Sequence, residues 1–162
     1  MNKIKFNTPF IAGNELKYIK DVFKEKKFYG VGKYTSKCEN MISRQLNKKN
    51  VLLTDSCTSS LEIAALLIKD KLKNEVIVPS YGFSSTANAF AKINMKVIFA
   101  EIEEKTLMID IEDVKKKINK RTRAVVVIHY AGMSAKIHEL KKLCKENQII
   151  LIEILLKDMG GN

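Results

Sequence analysis

Several features that would assign this sequence to a class of protein are scarce or missing. Its three cysteines, Cys38, Cys57 and Cys144, have no CxxC spacing. They predict neither a disulfide framework nor a zinc site, and we expect three reduced thiols. No apolar run approaches the roughly 18 residues that a membrane span needs, and the opening MNKIKFNTPFIAG lacks the apolar segment of a signal peptide. We therefore expect a cytoplasmic protein that binds neither a metal ion nor a membrane.

An RNA-binding aromatic motif is also missing, although the formal net charge of +11 raises the question of a nucleic-acid partner. The lysines are dispersed over nearly every predicted helix and loop. The densest basic run, within residues 115–123, lies at a predicted helix end, where cations suit the helix dipole. We therefore expect a solvated, lysine-rich surface and no nucleic-acid binding. If the chain did bind nucleic acid, its affinity would depend strongly on salt.

What the sequence does contain is an alternation of short apolar runs with helical patterns. Apolar, β-branched runs predict the strands, and amphipathic or apolar runs with caps such as Asp110 predict the helices. The predicted strands cover residues 51–53, 75–78, 96–100, 124–128 and 149–152. The predicted helices cover residues 14–26, 34–47, 58–68, 84–93, 111–119 and 137–146.

Strands that are separated by crossover helices predict parallel pairing, with helices on both faces of one sheet. Uninterrupted apolar strands fit a sheet that is covered on both sides. We therefore predict an α/β fold with a doubly wound, mostly parallel sheet in residues 49–162, preceded by an amino-terminal helical segment in residues 1–48. The helix over residues 58–68 is apolar enough that we expect it to be mostly buried.

The stretch VLLTDSCTSSLEIAALL places a polar turn between a predicted strand and a predicted helix. A helix start leaves unpaired N–H groups with a partial positive charge, and these bind phosphate well. Ser56, Cys57 and Thr58 offer hydroxyls and amides there, but no Gly-Lys-Ser/Thr follows, so the stretch is not a Walker loop. The alternative is that these Ser and Thr side chains only cap the helix.

Two further stretches present side chains beyond strand ends, where ligands bind in open α/β sheets. In VPSYGFSSTANAF, Tyr81 and Phe83 follow a strand and could either stack on a flat heterocycle or pack in the core. In VVVIHYAGMSAKIHEL, His129 ends a strand and faces the ligand side. A lone histidine more often makes structural hydrogen bonds, as we expect of His138, and Gly132 suits a tight loop.

Together these stretches resemble one family, the pyridoxal-phosphate (PLP) dependent sugar aminotransferases of the DegT/StrS type. The resemblance covers residues from about 5 to 153 and rests on FNTPFIAGNELKYI, TDSCTSSLEIAALL, PSYGFSSTANAF, MIDIEDV and VIHYAG. It implies the large domain of the aspartate-aminotransferase fold (PLP fold type I), with PLP as the cofactor. It also implies a sugar nucleotide and an amino donor such as glutamate as substrates, and a homodimer. Within the family the sequence most resembles enzymes that aminate a TDP-4-keto-6-deoxyhexose for surface polysaccharides.

The resemblance implies roles for individual residues. The backbone amides of Cys57 and Thr58 occupy the positions that hold the cofactor phosphate. Phe83 occupies the aromatic position that stacks on the pyridine ring. These three residues are therefore the expected cofactor-binding residues of the chain.

The family motif breaks off after Glu153. The family has Glu-Asp-Ala/Thr-Ala-Gln/His there, and its Asp pairs with the protonated pyridine nitrogen, but this chain has Ile154 at the Asp position and Lys157 at the Gln/His position. The family's catalytic lysine lies farther along than residue 162. We therefore assign no catalytic residue and expect the chain to be inactive alone.

A change of reading frame is consistent with this break. Residues 153–160 can be written GAA ATA CTG CTC AAG GAC ATG GGN, and restoring one G after the first codon gives Glu-Asp-Thr-Ala-Gln-Gly-His-Gly. Our hypothesis is a single-base deletion within codon 154 that brought an early stop. The truncated product would lack the strand that pairs, in the family, with the strand near residue 51. We expect such a product to be poorly soluble and weakly stable.

Two functions remain open from the sequence. The first is the amino-terminal part of a PLP-dependent nucleotide-sugar aminotransferase. The alternative is a non-catalytic remnant that associates with a full-length paralogue, since the family builds its active sites at a dimer interface.

Overall fold

The computed structural model describes residues 9–130 and 132–155. They form two compact units that divide between Leu53 and Thr54. Within these residues no helix is long and apolar enough to cross a membrane. The described residues leave out three positions that the resemblance used: Lys157, Ala131 and the start of the FNTPFIAG stretch.

The first unit consists of two amphipathic helices, α1 (Glu15–Glu25) and α2 (Lys33–Leu46). The Asp21 carboxylate of α1 accepts hydrogen bonds from Lys33 Nζ at 2.8 Å and from the Tyr34 hydroxyl at 2.6 Å, both on α2. These bonds lower the pKa of Asp21. No residue of α1 or α2, which both lie within the described range, is buried. The unit therefore presents its apolar side chains at its surface.

The second unit alternates helices and strands. Its helices are α3 (Cys57–Ile68), α4 (Ser84–Ala91), α5 (Ile111–Lys117) and α6 (Ile137–Glu146), and its strands are β1 (Glu75–Pro79), β2 (Lys96–Ala100), β3 (Thr122–His129) and β4 (Ile150–Leu155). The strands form one parallel sheet in the order β2-β1-β3-β4. The chain leaves β1 toward β2 and then crosses to β3 on the other side, so the strand order reverses between β1 and β3.

Alternation along each strand divides the buried side chains between the two faces of the sheet. On the α3/α4 face, the apolar cluster includes Leu61, Val78, Phe90, Val126 and Ile154. On the α5/α6 face, it includes Ile77, Val114, Val125, Leu140 and Cys144. Helices therefore cover both faces, and the predicted α/β fold is confirmed.

The predicted strand over residues 51–53 is wrong. The structure assigns no strand there, and Leu52 and Leu53 are exposed. An extended segment is stable as a strand only when it gains ladder hydrogen bonds, and no described strand pairs with this one. The Leu53 N–H instead donates to the Glu39 carboxylate of α2 at 3.0 Å.

Two further expectations need correction. The last strand was predicted to end at residue 152, but β4 continues to Leu155, so Glu153 lies inside the strand. Ile154 extends the strand because it pairs with Ile128 and is buried. The helix α3 buries only one side, since Leu67 on its other side is 79 % exposed and no described element covers it.

The edge of the sheet where the strands begin, here called the amino edge, carries a buried carboxylate. Glu75 is only 1 % exposed. Its Oε2 accepts a hydrogen bond from Asn119 Nδ2 at 2.7 Å, and its Oε1 lies 2.8 Å from Arg121 Nη2 and 3.5 Å from Lys96 Nζ. The bond from Asn119 and the charges of Arg121 and Lys96 hold the pKa of Glu75 below its usual value.

Candidate functional site

The start of α3 is shaped by hydroxyl groups. Ser56 is the N-cap, and its Oγ accepts from the Ser59 N–H at 3.1 Å. The Thr54 hydroxyl donates to the Ser56 carbonyl at 2.9 Å and lies 2.6 Å from Ser60 Oγ. Among the described residues, the N–H groups of Cys57 and Thr58 have no acceptor, because the cap serves the amides that follow them. Two free amides therefore point out of the helix start.

The direction of α3 places this start at the edge where the strands end, here called the carboxyl edge. At the other end of the helix, the Ile68 carbonyl accepts from Arg123 Nε at 2.7 Å. Arg123 stands near the beginning of β3, so α3 ends at the amino edge. A helix of 12 residues is about 18 Å long. Cys57 and Thr58 therefore lie toward the carboxyl edge, on the α3/α4 face.

The start of α4 lies at the same edge and on the same face. α4 follows β1 after a short loop, and Phe83 is its N-cap residue. The Phe83 side chain is 68 % exposed, so it is available to a ligand and does not pack in the core. α3 and α4 share one apolar cluster through Leu61 and Phe90. The structure thus brings the three expected cofactor-binding residues to the starts of two neighbouring helices.

Two tyrosines meet at the point where the strand order reverses. Tyr81 follows β1 and Tyr130 follows β3, and their ring centroids are 5.5 Å apart in an edge-to-face arrangement. The neighbouring phenol of Tyr130 raises the pKa of Tyr81. Gly82, which follows Tyr81, lies close to the end of β3, because a Cβ there would lie 2.8 Å from Ile128 Cδ1. Tyr130 was not among the residues predicted to face a ligand, although an aromatic residue directly after a buried strand was the available signal.

His129 lies at the end of β3 as predicted, but it does not face the candidate site. Its ring Nδ1 accepts from the Ala135 N–H at 3.2 Å, and its Nε2 lies 3.7 Å from Glu153 Oε2. Glu153 Oε1 in turn lies 3.0 Å from Lys141 Nζ of α6. His129 and Glu153 line a cavity of about 280 Å³ together with Ile137 at the start of α6. His129 and Glu153 thus connect β3 and β4 to α6, which is a structural role.

The thiols and the possible metal ligands of the described residues form no reactive or metal-binding cluster. Cys38, Cys57 and Cys144 are free thiols, as predicted. Burial raises the pKa of the Cys144 thiol to about 11, so this thiol is unreactive at neutral pH. In residues 9–130 and 132–155 there is no group of three or more His, Cys, Asp or Glu side chains that could hold a metal ion.

Ile154 occupies a position that offers no polar group to a ligand. It is 5 % exposed and belongs to the apolar cluster of the α3/α4 face. Its strand neighbour Ile128 is also buried in that cluster. A cationic ring nitrogen next to Ile154 would find no partner in this side chain.

Comparisons with known proteins agree with the resemblance drawn from the sequence. A family model described as the DegT/DnrJ/EryC1/StrS aminotransferase family matches residues 9–154. The chain is 33 % identical over 152 residues to GDP-perosamine synthase from Vibrio cholerae, which covers 94 % of this chain and 41 % of that protein. It is 27 % identical over 152 residues to dTDP-4-dehydro-2,3,6-trideoxy-D-glucose 4-aminotransferase from Saccharopolyspora spinosa, covering 93 % of this chain and 39 % of that protein.

A solved structure shows the same fold with a cofactor. The E. coli GDP-4-keto-6-deoxy-D-mannose-3-dehydratase with bound hydrated PLP has a TM-score of 0.82 to this chain at 27 % sequence identity. The match covers 96 % of this chain and 41 % of that chain. This chain therefore spans about 40 % of the length of the relatives that it matches.

Proposed function

The chain belongs to the DegT/DnrJ/EryC1/StrS aminotransferase family, and we propose that it is the amino-terminal part of a PLP-dependent nucleotide-sugar aminotransferase. The proposed parent reaction moves an amino group from a donor such as glutamate to a 4-keto-6-deoxy sugar nucleotide for surface polysaccharides. The names of the relatives support a sugar-nucleotide substrate, since one makes GDP-perosamine and another is a dTDP-sugar 4-aminotransferase.

The observation that carries this proposal is that α3 and α4 both begin at the carboxyl edge of the sheet. The free amides of Cys57 and Thr58 suit the cofactor phosphate, because a helix start combines unpaired donors with a partial positive charge. The exposed ring of Phe83, at the start of the neighbouring helix, suits the flat face of the pyridine. Two parts of the cofactor, the phosphate and the ring face, therefore have fitting residues.

A substitution of Cys57 tests this assignment. Cys57 is the first residue of α3, where proline is tolerated, and Ser56 before it is already extended with φ −155° and ψ 159°. Cys57→Pro therefore removes one N–H group and leaves the helix intact. We expect the affinity for pyridoxamine 5′-phosphate, measured by calorimetry, to fall about tenfold or more, because a hydrogen bond to a charged group is lost.

The matched control is Cys57→Ala, which removes the thiol and keeps the amide. We expect it to bind pyridoxamine 5′-phosphate like the unaltered chain. This probe is chosen because it has no aldehyde and does not react with the many surface lysines. Equal affinity in the Pro and Ala variants would show that the helix start does not hold the phosphate.

At the family's position for the partner of the pyridine nitrogen, the described residue is Ile154, which is buried in an apolar cluster and offers no polar group. We propose that the chain alone does not catalyse amino transfer for this reason. The measurement is the release of 2-oxoglutarate from glutamate in the presence of PLP and the purified chain. A rate above that of PLP with the Cys57→Pro variant would contradict the proposal.

The family pattern breaks at Ile154. We propose that a single-base deletion within codon 154 shifted the reading frame. The family match supports this, since it stops at residue 154 although the chain continues to residue 162. Reading the DNA tests it: an inserted base near this codon must restore Glu-Asp-Thr-Ala-Gln and further family sequence downstream, and failure to do so refutes the idea.

A second function is favoured by the outer side of α3. Leu66 and Leu67 are exposed there, although the helix was expected to be mostly buried. We propose as the alternative that this chain is a non-catalytic remnant that associates with a full-length family member. Co-purification of this chain with a purified full-length relative, lost in a Leu66→Asp, Leu67→Asp double variant, would favour the alternative over an independent role.

A further inference from the structure

The two helices of the first unit line an apolar groove, here called the α1/α2 groove. It has a volume of about 690 Å³, and its walls include two aromatic pairs. Tyr18 and Tyr34 join α1 to α2 with ring centroids 5.1 Å apart, and the centroids of Phe23 and Phe28 are 5.2 Å apart. Met41 of α2 also lines the groove. Because these contacts lie within the unit, a ligand meets a surface that is already formed.

The apolar side chains of the α1/α2 groove are accessible. Phe23 is 64 % exposed and Met41 is 62 % exposed. They belong to a stripe along each helix, since Ile19 and Phe23 are four residues apart in α1 and Tyr34 and Met41 are seven residues apart in α2. A contiguous apolar surface of this kind marks an interaction site.

Basic side chains border the α1/α2 groove on both sides. Two basic hollows adjoin it, one of which shares Tyr34 with the groove and the other Met41. The cations that line these hollows are Lys17, Lys20 and Lys24 on α1 and Lys37 and Arg44 on α2. The groove therefore lies between two positively charged rims.

The acidic side chains of the first unit are engaged inside it. Its described part contains ten Lys and Arg but only four Asp and Glu. Asp21 and Glu25 accept from Lys33 Nζ at 2.8 Å and 2.9 Å, and Glu15 and Glu39 accept from backbone N–H groups. Among the described residues, Lys33 alone of the ten cations pairs with a carboxylate. A partner at the groove therefore meets apolar surface and available positive charge.

We propose that the α1/α2 groove binds an amphipathic helix of another protein whose polar face is acidic. The apolar stripe of such a helix fits between the walls of the groove, which is a common way of recognising a helix. Its carboxylates then lie beside the basic rims, where opposite charges favour the encounter. This interaction does not involve the cofactor site and is independent of the proposed function.

Charge and shape favour this partner over three others. A second copy of the chain would bring the same basic rims, and like charges would face each other. The residues that the structure does not describe include three Lys and one Asp, so they supply no acidic helix. An anionic bilayer also attracts cations, but it binds amphipathic helices that lie flat in its surface, whereas this apolar surface is a groove.

The test uses two hydrocarbon-stapled helical peptides of about 14 residues, the length of α2. Both carry the same leucine stripe, and their other positions are glutamate in one and lysine in the other. Binding of each fluorescein-labelled peptide to the whole 162-residue chain is measured by anisotropy. We expect the acidic peptide to bind saturably and about tenfold or more tightly than the basic one. Equal affinities, or no binding of the acidic peptide, overturn the proposal.

Substitution of Met41 locates the binding site. Met41→Glu places a carboxylate in the wall of the groove at an exposed position of α2. The matched control is Ser36→Glu, which makes the same charge change on the opposite side of α2. We expect the acidic peptide to bind about tenfold or more weakly to Met41→Glu and within about threefold of normal to Ser36→Glu. Ile19→Glu repeats the test from α1, and losses equal to that of Ser36→Glu overturn the groove as the site.

Two further measurements distinguish the other occupants. A chain that sediments as a dimer and dissociates in Met41→Glu would have a second copy in the groove. Co-sedimentation with phosphatidylglycerol vesicles that Met41→Glu abolishes, without binding of the acidic peptide, would assign the surface to a membrane. Either result overturns the proposal, whereas a monomer that binds the acidic peptide through Met41 supports it.

Discussion

The two edges of the sheet differ in how their polar groups are used. At the amino edge, Glu75 is buried and is held by Asn119 and Arg121, and the last carbonyl of α3 accepts from Arg123. At the carboxyl edge, the amides that open α3 have no acceptor among the described residues, and Phe83 is exposed. One edge satisfies its polar groups within the chain, whereas the other leaves donors and an aromatic surface available.

This difference separates stability from binding. Groups that are paired inside the chain stabilise the fold and offer nothing to a ligand. Groups that are left unpaired at the starts of α3 and α4 cost some stability and are free to bind. Substitutions at the amino edge should therefore change the free energy of unfolding, and substitutions at the carboxyl edge should mainly change affinity.

The largest effect is expected from Glu75→Ala at the amino edge. The substitution leaves a small buried void and removes the acceptor of Asn119, and we expect a loss of about 2 kcal/mol or more in the free energy of unfolding. Urea denaturation measures it. Lys96→Met is the control, because Lys96 is mostly exposed and lies 3.5 Å away, so its removal should cost well under 1 kcal/mol.

The pH dependence of this network has a defined sign. The pKa of Glu75 is lowered from 4.5 in the folded chain, so its carboxylate stabilises the fold fully at pH values above 4.5. That contribution fades as the pH falls below 4.5 toward the lowered folded-state pKa. The stability difference between the unaltered chain and Glu75→Gln should therefore shrink below pH 4.5. A difference that stays constant there would show that Glu75 is not the titrating group.

An intermediate effect is expected from Gly82 at the carboxyl edge. A Cβ there would lie 2.8 Å from Ile128 Cδ1, and we expect Gly82→Ala to cost about 1–2 kcal/mol through overpacking. Ile128→Val removes that Cδ1 atom. In the Ile128→Val background the same Gly82→Ala change should cost less than about 0.5 kcal/mol, measured as a double-mutant cycle. Equal costs in both backgrounds would place the strain elsewhere.

The smallest effect is expected from Lys141 on α6. Its ion pair with Glu153 is largely exposed to water, so Lys141→Met should change the free energy of unfolding by less than about 1 kcal/mol. The effect should also diminish in high salt, because exposed ion pairs are screened. A loss of 2 kcal/mol or more in urea denaturation would mean that this pair holds β4 in place.

Local patterns in the sequence were sufficient to predict much of the fold. β2 and α6 have the predicted bounds, because β2 is a short continuous apolar run and α6 is a period-3.6 run, each followed by a polar turn. Asp110 caps α5 as predicted, accepting from the Glu112 N–H at 2.8 Å. The helix starts that carry Cys57 and Phe83 were also predicted, since Ser56 and the loop after Pro79 mark them.

Features that depend on distant neighbours could not be predicted in the same way. Residues 51–53 are apolar enough for a strand, but pairing decides whether a strand forms, and that information is not local. Alternation along β3 puts His129 on the α5/α6 face with Val127, but which face carries the candidate site depends on where α3 and α4 pack. The contact between Tyr81 and Tyr130 depends on the strand order, which brings β1 next to β3.

The most direct test of the contrast between the two edges is a titration of the ¹⁵N-labelled chain with pyridoxamine 5′-phosphate, followed through its backbone amide signals. We predict saturable shifts at Cys57, Thr58 and Phe83, with the amides of Glu75 and Arg121 unchanged. Shifts confined to the amino edge, or no saturable shift at the starts of α3 and α4, would contradict the assignment of the cofactor site.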